Sequence, residues 1–301
     1  MKIIIAVDGS QHSLDACKLV SHMPLTHKSI VTLVGVAQVI EYPATVKGSA
    51  REAIDEFNEE VLKNTQKLVK EAQSFLKKEG LAAEAKILRG YPVKELCRFA
   101  ETEKADLIAI GSRGLNPIKR QFLGSVSDGI IRHAPCSVLL FRPYKNRSLY
   151  DRKPEEKLDI VIGYDDSISS KEACAFVKKL DFKAIKKIDL LTALQLNFYY
   201  GMSYTLTALE YWPKQKASIE ESLLAMKQSF EKLEDAPEVN FEVIGEAKDA
   251  AHELNDYALK HHKDLIVVGT KGKGAFDRLV LGSVSTKLAH NAEVPLLIVR
   301  G

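Results

Sequence analysis

Gly111, Gly114, Gly124 and Ser125 stand in the stretch GSRGLNPIKRQFLGSVS, residues 111–127. Two residues separate the first pair of glycines, and nine separate Gly114 from Gly124. These residue types suit an anion. Glycines let a backbone turn sharply and come close to a ligand. A helix start offers unpaired N–H groups at the positive end of the macrodipole. The apolar run DLIAIG precedes the stretch and a helix-like run, Val126 to His133, follows it. Strand, glycine-bounded loop and helix start together predict a phosphate site. In that reading Gly124 lacks a Cβ where a phosphate comes close, and Ser125 adds a hydroxyl to its N–H.

The same pattern recurs in GTKGKGAFDRLVLGSVS, residues 269–285, after the apolar run DLIVVG. Gly269, Gly272, Gly282 and Ser283 lie 158 residues beyond their counterparts. Asp8 in IIIAVDGS matches Asp165 in IVIGYDDS, and Cys17 matches Cys174, both at an offset of 157. The repeat therefore spans most of each half. A chain of 301 residues is long enough for two domains, each able to bury its own core. The expected domains are residues 1–143 and 158–301, joined by a linker at 144–157 inside the charged, proline-containing stretch RPYKNRSLYDRKPEEK.

The elements that position these loops follow from apolar runs. Lys2–Val7 is continuously apolar rather than alternating, which predicts a strand covered on both faces, as in a parallel sheet. Further strands are expected at 29–37, 82–88, 105–110 and 138–141, with helices between them that include a long amphipathic one over 50–78. The pattern returns with strands at 158–164, 185–193, 238–244, 265–269 and 296–299 and helices at 167–180, 214–234, 246–262 and 283–290. Alternating strands and helices predict an α/β fold: two repeated five-stranded parallel sheets with helices on both faces. Ligands of such sheets sit beyond the carboxyl ends of the strands where the strand order reverses. The Asp8 turn and the Gly111 loop both follow strand ends, so they face one crevice if strands one and four flank that point.

Composition limits the function classes. A net charge of +3 is too small to argue for nucleic acid, and Lys and Arg alternate with Asp and Glu as on a solvated surface. No apolar run is long enough to span a bilayer, and MKIIIAVDGS reads as a strand rather than a signal peptide; the expected compartment is the cytoplasm. The four cysteines form no CxxC pair and read as small buried hydrophobes. His133 and His290 lie near helix ends, where the dipole explains them better than a metal does. No metal site, Ser-His-Asp arrangement or catalytic residue is expected.

Both glycine motifs, each with its AVDGS-like first strand, strongly resemble the universal stress protein family, in its tandem form with two domains in one chain. The resemblance covers nearly the whole sequence. It implies a Rossmann-like α/β domain of the adenine-nucleotide α-hydrolase-like type, and ATP, alone or with Mg, as ligand. It places phosphate contacts on Gly111, Gly114, Gly124, Ser125 and Val126 with Ser127 beside them, and on Gly269, Gly272, Gly282, Ser283, Val284 and Ser285 in the second half. It puts Asp8 and Asp165 near the ribose or a metal, whereas their sequence context fits a helix cap as well. It gives the adenine to the backbone of Val36 and of Ala193. Arg113 and its counterpart Lys271 stand where a cation would neutralise phosphate, while Lys119, Arg120, Lys273 and Arg278 read as solvated loop charges. Relatives commonly pair through their last strands, which implies a homodimer or a pairing of the two halves within the chain.

Two departures separate the halves. Asp166 replaces Gly9, which gives the second turn two carboxylates able to bind a cation or to repel a phosphate. The segment from Leu194 to Pro213 holds Phe198, Tyr199, Tyr200, Tyr204, Tyr211 and Trp212 and stands as a lid, a ligand wall, an interface anchor or local packing. The first site is expected to bind ATP better than the second. Three functions remain open: a nucleotide-binding stress-response regulator, a slow ATPase, and a non-nucleotide small-ligand module built on the aromatic segment. AVDGSQHS lacks the SGGxDS-like loop of adenylating enzymes, which argues against that class.

Overall fold

The computed structural model describes residues 1–114, 123–143, 156–194, 206–245, 247, 249–272 and 281–301, with 206–212 described by backbone alone. The chain divides into two compact units, Met1–Arg142 and Pro143–Gly301. Unit 1 runs β1 (Lys2–Val7), α1 (Gln11–Ser21), β2 (Ile30–Ala37), α2 (Ser49–Lys78), β3 (Glu84–Arg89), α3 (Pro92–Glu103), β4 (Leu107–Gly111), α4 (Ser125–His133) and β5 (Ser137–Phe141). Its strands lie in the order β3-β2-β1-β4-β5, all parallel. Unit 2 runs β6 (Leu158–Gly163), α5 (Ile168–Val177), β7 (Ile185–Ala193), α6 (Leu206–Glu231), β8 (Glu238–Ile244), α7 (Ala250–Lys260), β9 (Leu265–Gly269), α8 (Ser283–Asn291) and β10 (Leu296–Val299). Its order is β10-β9-β6-β7-β8, again parallel.

The continuous apolar strands are buried on both faces as that composition requires: Ile3, Ile4 and Ile5 in β1, and every residue of β4, β5 and β9. The first helix of each unit starts on a serine. Ser10 accepts the Ser13 N–H and Ser167 accepts the Ser170 N–H, which satisfies an orphan donor of the first turn. Two helix starts differ from the sequence expectation. Helix α6 begins at Leu206 and carries Pro213 inside it; a proline's fixed φ suits a helix, and the missing N–H removes one bond without ending it. Helix α7 begins at Ala250 rather than at 246, because the Asp249 carboxylate caps it through the Ala251 N–H at 2.9 Å.

Strand β4 meets the first turn of α1 with no room between them. A Cβ built on Gly111 falls 2.6 Å from the carbonyl carbon of His12, and one built on Gly269 falls 2.4 Å from the carbonyl oxygen of Ser169. The obstacles are backbone atoms, which cannot rotate away. Both glycines are thus demanded by the packing of helix on sheet.

The turns after β1 and β6 are solved differently. Gly9 has φ +81°, and a Cβ there would lie 2.6 Å from Leu68 of α2. Asp166 takes the same left-handed turn at φ +63°, which Asp tolerates better than most residues. Its Oδ1 accepts from the Tyr164 hydroxyl at 3.1 Å, from the Ser222 hydroxyl of α6 and from Lys171 Nζ at 2.8 Å. Lys171 first, then Ser222, hold this carboxyl down to about 2. Ser222 gives α6 a polar grip where Leu68 gives α2 an apolar one.

Gly111→Ala is expected to destabilise unit 1 by about 1–3 kcal/mol through overpacking, read as a lower calorimetric transition; an unchanged transition would show that α1 retreats freely. Asp166→Asn keeps the turn but loses the charge. A folded value of about 2 against an ordinary 3.8 means the carboxylate stabilises the fold above 3.8 and loses that contribution as pH falls toward 2. The pair touches water, so the loss at neutral pH is about 1 kcal/mol, measured by urea unfolding, with the gap to wild type narrowing in acid.

Candidate functional site

In unit 1, β2 and β3 lie to one side of β1 while β4 and β5 lie to the other, so the strand order reverses between β1 and β4. A cavity of about 700 Å³ opens there, beyond the strand ends. Its walls bring together most of the residues singled out in the sequence: Asp8 and Val36 with Gly111, Arg113 and Gly114, and Gly124 with Ser125, Val126 and Ser127. Ala6, Val34, Pro92, Leu96, Ile110 and Leu123 line it too. Of these, Val34 on β2 and Pro92 and Leu96 on α3 form, with Val36, an apolar slot that motif reading did not single out. The period-two alternation of Val34 and Val36 on β2 was the available signal.

Asp8 does not cap α1; Ser10 does. The Asp8 carboxylate is fixed through Oδ1, which accepts the Ser10 N–H at 3.0 Å and the Ser10 hydroxyl at 2.6 Å. Its Oδ2 lies 2.7 Å from where a Cβ on Gly114 would stand. Gly114 is therefore bare so that the carboxylate can lie against the loop. The Ser10 hydroxyl also lies 3.4 Å from the Arg113 carbonyl, and Gly124 N–H donates to the Ser112 carbonyl at 2.9 Å. These contacts draw the β1 turn, the β4 loop and the start of α4 to one point.

Helix α4 has Gly124 at its N-cap, with no side chain to cap it, and its first intrahelical bond runs from Asp128 N–H to Gly124 carbonyl at 2.9 Å. The N–H groups of Ser125 and Val126 head the helix at the cavity wall. A Cβ on Gly124 would meet Arg113 Cα at 3.4 Å, an ordinary contact, so the fold itself tolerates one there. Ser127 plays another part: its buried hydroxyl donates to the Gly111 carbonyl at 2.7 Å and ties α4 to the end of β4.

Arg113 is the cation of the described wall and Asp8 its anion, and two further basic side chains outside the lining feel the Arg113 charge. Burial, with the Arg113 charge adding to it, pushes the Arg142 guanidinium down to about 10. His12, whose Nδ1 lies 3.0 Å from the Ser112 hydroxyl, is held below its ordinary value by burial and then by Arg113. His12 so held is neutral, and the two guanidinium groups, Arg113 and Arg142, are the charges that favour an anion.

Unit 2 repeats the arrangement around a cavity of about 410 Å³. Asp165, Ala193, Gly269, Lys271, Gly272, Gly282, Ser283, Val284 and Ser285 all line it. Asp165 Oδ1 accepts the Ser167 N–H at 3.1 Å, its Oδ2 stands 2.8 Å from the Cβ position of Gly272, and the Ser285 hydroxyl donates to the Gly269 carbonyl at 2.7 Å. The space at Gly282 is tighter than at Gly124, with Thr270 carbonyl oxygen at 3.0 Å from the Cβ position. The second carboxylate of this turn, read from the sequence as able to bind a cation or to repel a phosphate, does not line the cavity: Asp166 is engaged by Lys171, Ser222 and Tyr164.

Lys119, Arg120, Lys273, Arg278 and the aromatic residues Phe198, Tyr199, Tyr200 and Tyr204 lie outside the described residues. Cys17, Cys136 and Cys174 are buried and Cys97 half-buried, none of them in a disulfide; burial pushes the Cys17 and Cys174 thiols up to about 12, which makes these two inert. Among the described residues no three His, Cys, Asp or Glu side chains gather as a metal centre requires, and no helix is long and apolar enough to cross a membrane.

Comparisons with known proteins agree with this architecture. Residues 1–142 and 158–300 each match the universal stress protein family. Universal stress protein Rv2005c of Mycobacterium tuberculosis is 25% identical over 310 residues, covering 99% of this chain and 96% of that protein. Universal stress protein MJ0531 of Methanocaldococcus jannaschii is 31% identical over 144 residues, 48% of this chain and 83% of that one. The crystal structure of a universal stress protein from Archaeoglobus fulgidus shares the fold at a TM-score of 0.69 and 16% identity, covering 99% of this chain and 98% of that one. With the family matched twice and full-length relatives carrying the same tandem, this chain belongs to the universal stress protein family.

Proposed function

We propose that this chain is an ATP-binding regulator of the stress response in the cytoplasm, with its tighter nucleotide site in unit 1 and a weaker one in unit 2. One observation carries the reading. A single cavity of about 700 Å³ joins an apolar slot, lined by Val34, Val36, Pro92 and Leu96, to the uncapped start of α4 beside Arg113. A nucleotide has the same two ends, a flat apolar base and a polyanionic tail. The N–H groups of Ser125 and Val126 take the phosphates, Gly124 gives them room, and the Arg113 guanidinium supplies opposite charge. Asp8 Oδ2, with Oδ1 already committed to Ser10, accepts from a ribose hydroxyl or holds a Mg ion that accompanies the phosphates. The Val36 backbone meets the adenine. No histidine stands among the described lining residues of either cavity, so the reading assigns binding and no hydrolytic step. Unit 2 has the smaller cavity and a lysine for the arginine, and a lysine offers no planar fork to a phosphate. The nucleotide state is read by partners or by assembly, and we extend the proposal to a homodimer formed through β5 or β10 or to pairing of the two units.

Protein purified without added nucleotide and then denatured is expected to release about one ATP per chain, detected by mass spectrometry of the supernatant, and added ATP is expected to raise the melting temperature. If neither effect is seen, the proposal falls; turnover of ATP to ADP would turn it toward an ATPase. Gly124→Val is expected to weaken ATP binding about tenfold or more, because its branched carbons fill the phosphate space, while Gly124→Ala, with an ordinary contact at 3.4 Å, keeps the fold and loses less. Gly282→Val leaves the tight site intact. Light scattering is expected to give twice the chain mass for the homodimer, and the mass of one chain would exclude it.

A further inference from the structure

The nucleotide site proposed above has polar groups in plenty at its phosphate end, and a different arrangement at its base end. Val34, Val36 and Gln38 alternate along β2 and its continuation, and all three line the cavity. Period-two alternation puts them on one face, turned toward the α3 side where Pro92 and Leu96 complete the slot. Among the described lining residues of this end, Gln38 is the polar one; Ala6, Val34, Val36, Pro92 and Leu96 are apolar. An apolar slot with one placed polar group is how pockets combine affinity with orientation.

The backbone around Gln38 is pinned on both sides. The Ala37 carbonyl accepts the Gly90 N–H and the Val39 N–H, each at 3.0 Å. Two residues after Gln38, the Asn58 side chain of α2 brackets Ile40, accepting its N–H at 2.7 Å and donating to its carbonyl at 3.0 Å. With two bonds already made, the Ala37 carbonyl is a poor acceptor for a base edge. The Gln38 carboxamide itself is exposed and makes no hydrogen bond to a described residue. It offers a donor and an acceptor side by side, the pattern that matches the 6-amino group of adenine and the ring nitrogen next to it. A glutamine recurs at the same place in the repeat, Gln195, 157 residues on and outside the described residues.

We propose that Gln38 reads the 6-amino edge of the base and so sets the preference of this site for adenine. The assignment rests on the nucleotide reading of unit 1. It is tested with two ligands and two proteins: ATP and purine riboside 5′-triphosphate, which is ATP without the 6-amino group, each titrated calorimetrically into the full chain and into its Gln38→Ala variant. Wild type is expected to favour ATP about five- to tenfold, the worth of one or two hydrogen bonds. The variant is expected to bind the two triphosphates within about twofold of each other, with ATP weakened and the analogue little changed. An unaltered melting temperature in the absence of ligand confirms that the exposed substitution spares the fold. A variant that keeps the preference for ATP, or a wild type that shows none, overturns the role of Gln38 while leaving nucleotide binding in place. A wild-type chain that binds neither triphosphate overturns the nucleotide reading and the Gln38 assignment with it.

Discussion

The end of β4 lies so close to the first turn of α1 that no Cβ fits between them, and the site follows from that contact. With Gly111 packed so closely that a Cβ on it would stand 2.6 Å from the His12 backbone, the turn carrying Asp8 is brought down onto the loop that follows β4. The Asp8 carboxylate then occupies the space a side chain on Gly114 would need, and Ser10 spans from the cap of α1 to the Arg113 carbonyl. Each glycine thus meets a different neighbour: Gly111 a helix backbone, Gly114 a carboxylate, and Gly124, at a helix start, only ordinary contacts from 3.4 Å outward. Only the last is bare without a steric demand from the fold, and a bare position beside unpaired N–H groups is where a ligand accounts for it.

The same geometry recurs in unit 2, although the residues that support it have changed. Gly9 and Leu68 form an apolar contact under the first turn, while Asp166, Ser222, Tyr164 and Lys171 form a polar one under the second. A carboxylate in place of Gly9 in unit 1 would meet Leu68 with nothing to accept from. A leucine in place of Ser222 would leave Asp166 with fewer donors in a half-buried position. The two solutions are therefore not interchangeable one residue at a time, and the turn and the long helix beside it change as a unit. The carboxylate that looks hazardous to a phosphate in the sequence is directed into the helix packing instead.

This is also where sequence reading stops. Element order, parallel pairing and the repeat are legible, because runs such as KIIIAV and DLIAIG have too many consecutive apolar residues for any but a doubly covered strand, and because Ser10, Gly124 and their copies sit where helix starts need them. Their legibility comes from local chemistry. Contacts between residues far apart in the chain leave no such mark. Leu68 in α2 is one apolar position among many, and nothing near it announces Gly9. Pro213 reads as the residue before a helix at 214–234, yet α6 already runs through it, since the local cost of a proline does not outweigh a helix that packs Leu223 and Phe230 into the core. Gln38 after a strand resembles any loop residue until the cavity shows that it continues the face of Val34 and Val36.

The two ends of the cavity differ in how their polar groups are held, and the difference bears on what each can discriminate. At the end by α4, Asp8 is bonded to Ser10, Ser127 to the Gly111 carbonyl and Gly124 N–H to the Ser112 carbonyl, so the donors that remain are backbone groups of a helix start with little freedom to adapt. Under the nucleotide reading proposed above, such a preorganised end recognises charge and size and would serve any phosphorylated ligand. At the base end the framework is apolar, and the polar contact comes from one exposed side chain on a pinned backbone. An apolar slot alone cannot strongly reject a ring of similar shape, whereas a polar group that must be matched can. On the proposed reading, specificity for the tail and for the base are thus separable, one fixed by the β4–α1 contact and the other carried by a residue that the fold does not require.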